Sequence, residues 1–321
     1  MKYIENLRDG ENVRSIYLCK QRNSATTKNG KPYDNVILQD KTGVIDAKIW
    51  DPNSFGIADF EALDYVDING EVTTFNGGLQ LNIRGARIAE PGEYVVSDYL
   101  PSSTKDIETM YGELLELVNS VKNPYMKKLL QLFFVEDKEL IQKFKSHSAA
   151  KSIHHGFIGG LLEHTLSVAK LCVNYTKFYP ILQYDLLIPA ALLHDIGKVH
   201  ELSDFPKNDY TDQGQMIGHI VEGYEMVGLK IANIEGFPEK MARELKHCIL
   251  AHHGELEFGS PKKPAIPEAF ALNLADNTDA KMETITEALM NGHPLDGSEW
   301  YGYQRTLETN IRKTDASNYM V

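Results

Sequence analysis

Only three cysteines occur in 321 residues, and they stand far apart at Cys19, Cys172 and Cys248. An odd, scattered set excludes a disulfide framework or a zinc ribbon and fits a reducing cytoplasm. Long apolar runs are also missing. The longest, LLIPAALL, is about eight residues against the ~20 that span a bilayer, so no membrane association is expected. The start, MKYIENLRDGENV, carries charges throughout and no apolar core of the kind a secretory signal needs. Basic charge is in deficit: 33 Lys and Arg stand against 45 Asp and Glu, a formal net charge of −12. That excludes a generally basic surface clamped to nucleic acid. It leaves room for a local basic groove, or for an acidic site that attracts cations. Repeats and low-complexity tracts are absent.

What is present is an ordinary globular composition, 42% hydrophobic and 24% charged, in a chain long enough for two domains. Two periodicities divide it. Residues 1–96 read as strands: IYLCK, NVILQD, GVIDAKIW, YVDINGEVTTF and LQLNIRGARI are short, rich in β-branched or aromatic residues, and separated by Gly, Asn and Pro turns. In GVIDAKIW, Ile45, Ala47 and Ile49 alternate with Asp46, Lys48 and Trp50, one buried face and one exposed face. Five such strands in under 100 residues predict a small closed barrel. The stretch VSDYLPSSTKD reads as a linker. From about residue 106 apolar residues recur at helical spacing, as in LLEHTLSVAKLCVNYTKF and PEAFALNLADNTDAKMETITEAL. Residues 97–145 are assigned to linker and helices, 146–293 to an all-α domain, and 294–321 to a tail without periodicity.

Ten of the eleven histidines fall between positions 147 and 253. In ALLHDIGKVHEL, His194 and Asp195 end an apolar helix, where an ionised carboxylate beside an imidazole is costly unless something pairs with both. His164, His219, His252 and Asp276 likewise sit on helices that must bury a face. Helices packed round one core would bring these side chains together, and a metal would neutralise Asp195 and satisfy the imidazoles. One carboxylate can bridge two ions, with a hydroxide between them as nucleophile. A lone histidine on an apolar helix is ordinarily a core or surface residue; it is the ordered set that points to a metal. His253 lies about 100° round the helix from His252 and reads as a phosphate contact or a helix-capping group. His155, next to His154, can reach the mouth of the site. His247 reads as structural, His200 and His293 as surface residues, and His147 has no motif context.

The order His164, His194-Asp195, Asp276 resembles the HD superfamily of metal-dependent phosphohydrolases, with HDIGK as its central signature. His219 and His252 match the subgroup that holds two metals. The resemblance implies a first ion on His164, His194, Asp195 and Asp276, a second on Asp195, His219 and His252, and Lys198 near the scissile phosphate, where a cation stabilises developing charge. Residues 12–88 resemble the nucleic-acid-binding OB-fold, on KNGKPYDNVILQDKTGVIDAKIWD and VDINGEVTTFNGGLQLNI. Such barrels stack bases on aromatics and track phosphates with cations. Tyr33, Trp50 and Phe75 are candidate platforms; Lys31, Lys48 and Arg84 are candidate cations. An aromatic at a strand end also serves as a barrel plug.

An OB barrel followed by an all-α HD domain, over nearly the whole chain, is similar to the YhaM family of bacterial 3′→5′ exoribonucleases. Ser148-Ala149-Ala150-Lys151 departs from that family's Pro-Ala-Ala-Lys, a change of turn that touches no ligand. The resemblance implies single-stranded RNA as partner and two divalent ions as cofactor, manganese first, with cobalt, iron, zinc and nickel not separated by spacing. DNA as a partner and assembly of further copies stay open. Two rivals stay open as well: a phosphohydrolase of free nucleotides or cyclic dinucleotides regulated by the barrel, and a strand-binding protein with a degenerate HD half.

Overall fold

A computed structural model describes residues 1–27, 29–75, 77–100, 102–151, 156–292, 294 and 298–315. The chain divides into two units, Met1–Ser102 and Ser103–Val321.

The first unit holds five strands: β1 (Asn12–Thr26), β2 (Pro32–Asp40), β3 (Gly43–Ile49), β4 (Tyr65–Phe75) and β5 (Gly78–Ile88). They close into a barrel in the order β1-β2-β3-β5-β4, and β4 returns to β1. All pairings are antiparallel except β3 with β5. This is the five-stranded Greek-key barrel of the OB type. The alternation read in β3 is met: Ile45, Ala47 and Ile49 are buried with Tyr17, Val36, Leu38, Ile68 and Leu81. β1 is far longer than IYLCK because it serves two partners. Its first half pairs with β4 and its second with β2, with a register shift between Cys19 and Gln21. The polar second half has no hydrophobic pattern; its hydrogen-bonding neighbour keeps it extended.

In the second unit α1 (Ile107–Ser120), α2 (Pro124–Gln131) and α3 (Lys138–Ser146) each start on a side-chain cap. Asp106, Asn123 and Asp137 accept backbone N–H bonds from the first turns, each worth about 1 kcal/mol. Then follow α4 (Gly160–Phe178), α5 (Tyr184–Leu193), α6 (Lys198–Glu201), α7 (Asp212–Met216), α8 (His219–Ala232), α9 (Glu239–Ala251) and α10 (Pro267–Asn291). Every residue of α5 from Leu186 to Leu193 is buried, as expected of a helix apolar all round. α4, α9 and α10 pack on it, so their inward side chains meet where α5 ends. Residues 294–321 carry a hairpin, β6 (Trp300–Gln304) with β7 (Thr309–Arg312), packed on α10. Its aromatic and polar residues, interrupted by Gly302, lack the alternation that marks a strand. Among the described residues no helix is long and apolar enough to cross a membrane. All three cysteines are free and buried.

Candidate metal centre

Two helices deliver histidines by the same device. His194 follows the last residue of α5, and His252 follows the last residue of α9. Each turns Nδ1 back to a carbonyl three residues earlier, His194 to Ala191 and His252 to Ile249, both at 2.7 Å. The bond satisfies a carbonyl left open at the helix end. It also places the proton on Nδ1 and leaves the Nε2 lone pair facing inward. The two rings lie 5.1 Å apart, centre to centre.

His164 comes from the second turn of α4 and His219 from the first residue of α8. His164 Nε2 lies 3.2 Å from His194 Nε2 and 3.2 Å from Asp276 Oδ1. These three residues can hold one ion. His219, His252 and His253 form a second such group. Asp195 stands between the groups, 2% exposed. Its Oδ2 is 3.3 Å from His164 Nε2 and 3.4 Å from His194 Nε2. Its Oδ1 is 3.4 Å from His219 Nε2 and 3.6 Å from His252 Nε2. Lys198 Nζ approaches Oδ2 at 2.7 Å.

The electrostatics of the cluster follow from this crowding. Burial disfavours a charged Asp195, but Lys198, His194 and His164 hold its carboxyl well below the usual range. Burial works against a charged His164, yet Asp195, Asp276 and Asp279 outweigh it and raise its pKa well above an ordinary imidazole. His252 moves the other way, lowered mainly by burial.

Whether metal ions fit is decided by three atoms. Asp195 Oδ1, His219 Nε2 and His252 Nε2 are buried and have no hydrogen-bond partner among the described residues. Orphaned polar atoms cost about 1–3 kcal/mol apiece, and these three face one another. Nitrogen and carboxylate donors without a proton between them suit a borderline divalent cation. The residues fit such ions.

His252 caps α9 with helical backbone angles (φ −65°, ψ −28°), so His253 leaves the helix at the helical angle, and its ring centre still lies 4.4 Å from that of His252. Gly254, at φ +79°, then turns the chain, and His253 Nδ1 lies 2.9 Å from the Phe258 carbonyl. His247 Nε2 accepts the Ala265 N–H at 2.9 Å, and His200 is exposed. His147 is buried outside the cluster. His154, His155 and His293 lie outside the described residues.

On the barrel, Tyr33, Lys48 and Trp50 come together. The Tyr33 and Trp50 rings stack at 5.4 Å, Lys48 Nζ lies 5.3 Å from the Tyr33 ring centre, and Trp50 Nε1 donates to Asn82 Oδ1 at 2.9 Å. Trp50 is 53% exposed, so it is not a barrel plug. Arg84 shares the Asn82 face of β5 and pairs with Glu71. Phe75, 62% exposed, sits at the tip of the β4–β5 hairpin, and Lys31 sits in the β1–β2 turn.

The HD domain model matches residues 161–281. The 3′-5′ exoribonuclease YhaM of Geobacillus sp. (strain WCH70) is 37% identical over 301 residues, 93% of this chain and 91% of that protein. The protein of the same name from Oceanobacillus iheyensis is 34% identical over 291 residues, 90% of each chain. The chain belongs to the YhaM exoribonuclease family. Among solved structures, the second OB-fold domain of replication protein A from Methanococcus maripaludis is 17% identical, covering 29% of this chain and 98% of that one, at a TM-score of 0.23. At that score the OB assignment rests on the strand order alone. The HD domain of this YhaM-family chain makes it a divalent-metal protein.

Sequence reasoning passed over three residues of this YhaM-family centre. Asp279 Oδ2 lies 2.7 Å from His164 Nδ1, and Glu201 Oε1 lies 2.8 Å from His219 Nδ1. The signal for Asp279 is an acid one helical turn beyond Asp276; for Glu201 it is an acid one turn beyond Lys198. Gly197 has an ordinary helical φ of −68°, so its need is spatial. A Cβ there would meet the His219 carbonyl oxygen at 2.1 Å. The glycine of HDIGK lets the start of α8, and with it His219, come close.

Proposed function

We propose that the chain is a metal-dependent 3′→5′ exoribonuclease that hydrolyses single-stranded RNA to nucleoside 5′-monophosphates. Residues 1–96 capture the strand and residues 146–293 cut it, joined through 97–145; residues 294–321 lie beyond the cutting half. The reading takes its substrate from the relatives' activity. Its chemistry is supported by one observation above all, the Asp195 carboxylate with one oxygen turned to each of two histidine groups.

His164, His194, Asp195 and Asp276 would hold one ion, and Asp195, His219 and His252 the other, with His253 beside them. Manganese is the ion we propose, from the family resemblance; a set of imidazoles and carboxylates accommodates manganese as it does cobalt, iron, zinc or nickel. Two such ions, when bound, supply an activated water and positive charge for attack on phosphorus. Water adds to the terminal phosphodiester, the bond from phosphorus to the 3′ oxygen of the preceding nucleotide breaks, and that oxygen takes up a proton. The Lys198 ammonium, beside Asp195, offsets negative charge developing on the phosphoryl oxygens. On the barrel, Trp50 and Tyr33 offer stacking surfaces, and Lys31, Lys48 and Arg84 offer phosphate contacts.

The test is a 5′-labelled RNA incubated with the protein and manganese. A ladder shortening from the 3′ end with release of 5′-monophosphates is expected. Turnover of free nucleotides with the RNA left intact overturns the proposal in favour of a nucleotide phosphohydrolase.

A further inference from the structure

The four inward histidines of the centre need their Nδ1 atoms anchored, and the fold supplies anchors of two kinds. His194 and His252 end helices, where open carbonyls are at hand, and they use them. His164 lies inside α4, where the carbonyl of the preceding turn is already engaged by the helix. His219 opens α8, where no helical turn precedes it. These two therefore require a side chain from another element. His164 finds Asp279 Oδ2 at 2.7 Å, on α10 one turn beyond Asp276. His219 finds Glu201 Oε1 at 2.8 Å, and the same oxygen accepts the His219 backbone N–H at 3.1 Å.

We infer that Asp279 and Glu201 are positioning residues, one for each metal position. Each fixes the orientation of one imidazole so that Nε2 faces the ion, and each increases that nitrogen's donor strength through a charge-assisted bond. The assignment rests on the two-metal reading above.

Glu201 is itself held in place. The Glu201 carbonyl accepts the Thr211 N–H at 2.9 Å, and Gly214 leaves space that a Cβ would close at 2.1 Å from that oxygen. Burial alone would raise the Glu201 pKa, but its bonds to His219 lower it. Asp279 shares a rigid helix with Asp276, so ligand and positioning residue move together.

Titration of the metal-free chain with manganese alone, followed by calorimetry, tests this without reference to cleavage. The wild type should take up two ions. Glu201→Ala should weaken one of them by about 10–100-fold, and Asp279→Ala the other by a similar factor. The double variant should weaken both, each by at least the factor seen in the corresponding single variant, because the two anchors serve different ions that share Asp195. Glu201→Gln keeps an acceptor oxygen for Nδ1, so it should fold as the wild type does and recover most of the affinity lost in Glu201→Ala. Unchanged binding of two ions in both single variants overturns the inference and leaves the two-metal reading standing. So does a double variant no worse than either single one. A wild type that takes up fewer than two ions overturns both.

Discussion

The candidate residues of the barrel and those of the helical unit stand in opposite states. On the barrel four of the six candidate groups already have partners. Lys48 bonds Asn35, Arg84 pairs with Glu71, Trp50 donates to Asn82, and Tyr33 stacks on Trp50. In the helical unit Asp195 Oδ1 and the Nε2 atoms of His219 and His252 are buried with no partner among the described residues. The first arrangement is stable in water and accepts a ligand by exchange. The second carries a standing cost that a cation removes. Unsatisfied burial identifies a ligand class more sharply than an exposed aromatic does.

The sharpest way to break that contrast is Asp195→Ala. Both histidine groups lose their shared carboxylate, so cleavage should fall by more than the ~10²–10³-fold that follows loss of one oxyanion donor. RNA affinity should stay within about twofold, since a stack of one base is worth ~1–3 kcal/mol and the barrel keeps its stacks. Gel assays of trimming and filter binding on the same preparation check both. Trimming at the normal rate would remove Asp195 from the centre.

How far the sequence carried the reading differs between the regions in the same way. The order of His164, His194, Asp195, His219, His252 and Asp276 was legible because each is a polar residue on an apolar helix, and apolar helices have one place to go. Asp279 and Glu201 were not legible: each lies among polar residues that suit a solvated helix, and only the packing of α10 beside α4, or α6 beside α8, turns them inward. For His253 the helical angle to His252 was legible, but not that its ring reaches the His219 and His252 group, which depends on side-chain packing. In the barrel, alternation in GVIDAKIW showed its buried face. The second half of β1 and the β6–β7 hairpin carry no hydrophobic pattern, so their pairing had no trace in composition.

A smaller effect is expected from Trp50→Ala. Loss of one stacked base costs ~1–3 kcal/mol, or about 5–150-fold in affinity for long strands. Cleavage of a dinucleotide, which engages the metal centre alone, should not change. Comparing KM for an oligonucleotide and a dinucleotide measures the difference. An equal loss on both substrates would move Trp50 from strand capture to folding and erase the division between the two regions.

The smallest effect sharpens the comparison inside the barrel. Arg84 is tied to Glu71, whereas Lys31 in the β1–β2 turn has no carboxylate partner among the described residues. A phosphate must compete with Glu71 for the guanidinium but meets Lys31 without competition. Each full phosphate contact to a single strand contributes about 0.7 to the slope of log affinity against log salt. Lys31→Ala should therefore lower that slope by close to the full amount and Arg84→Ala by less. Stability should move by no more than ~1 kcal/mol when the exposed Arg84 pair is broken. Affinity measured across a salt series separates the two variants. A larger slope change for Arg84→Ala would mean that RNA displaces Glu71 outright, and that prior pairing does not discount a barrel cation.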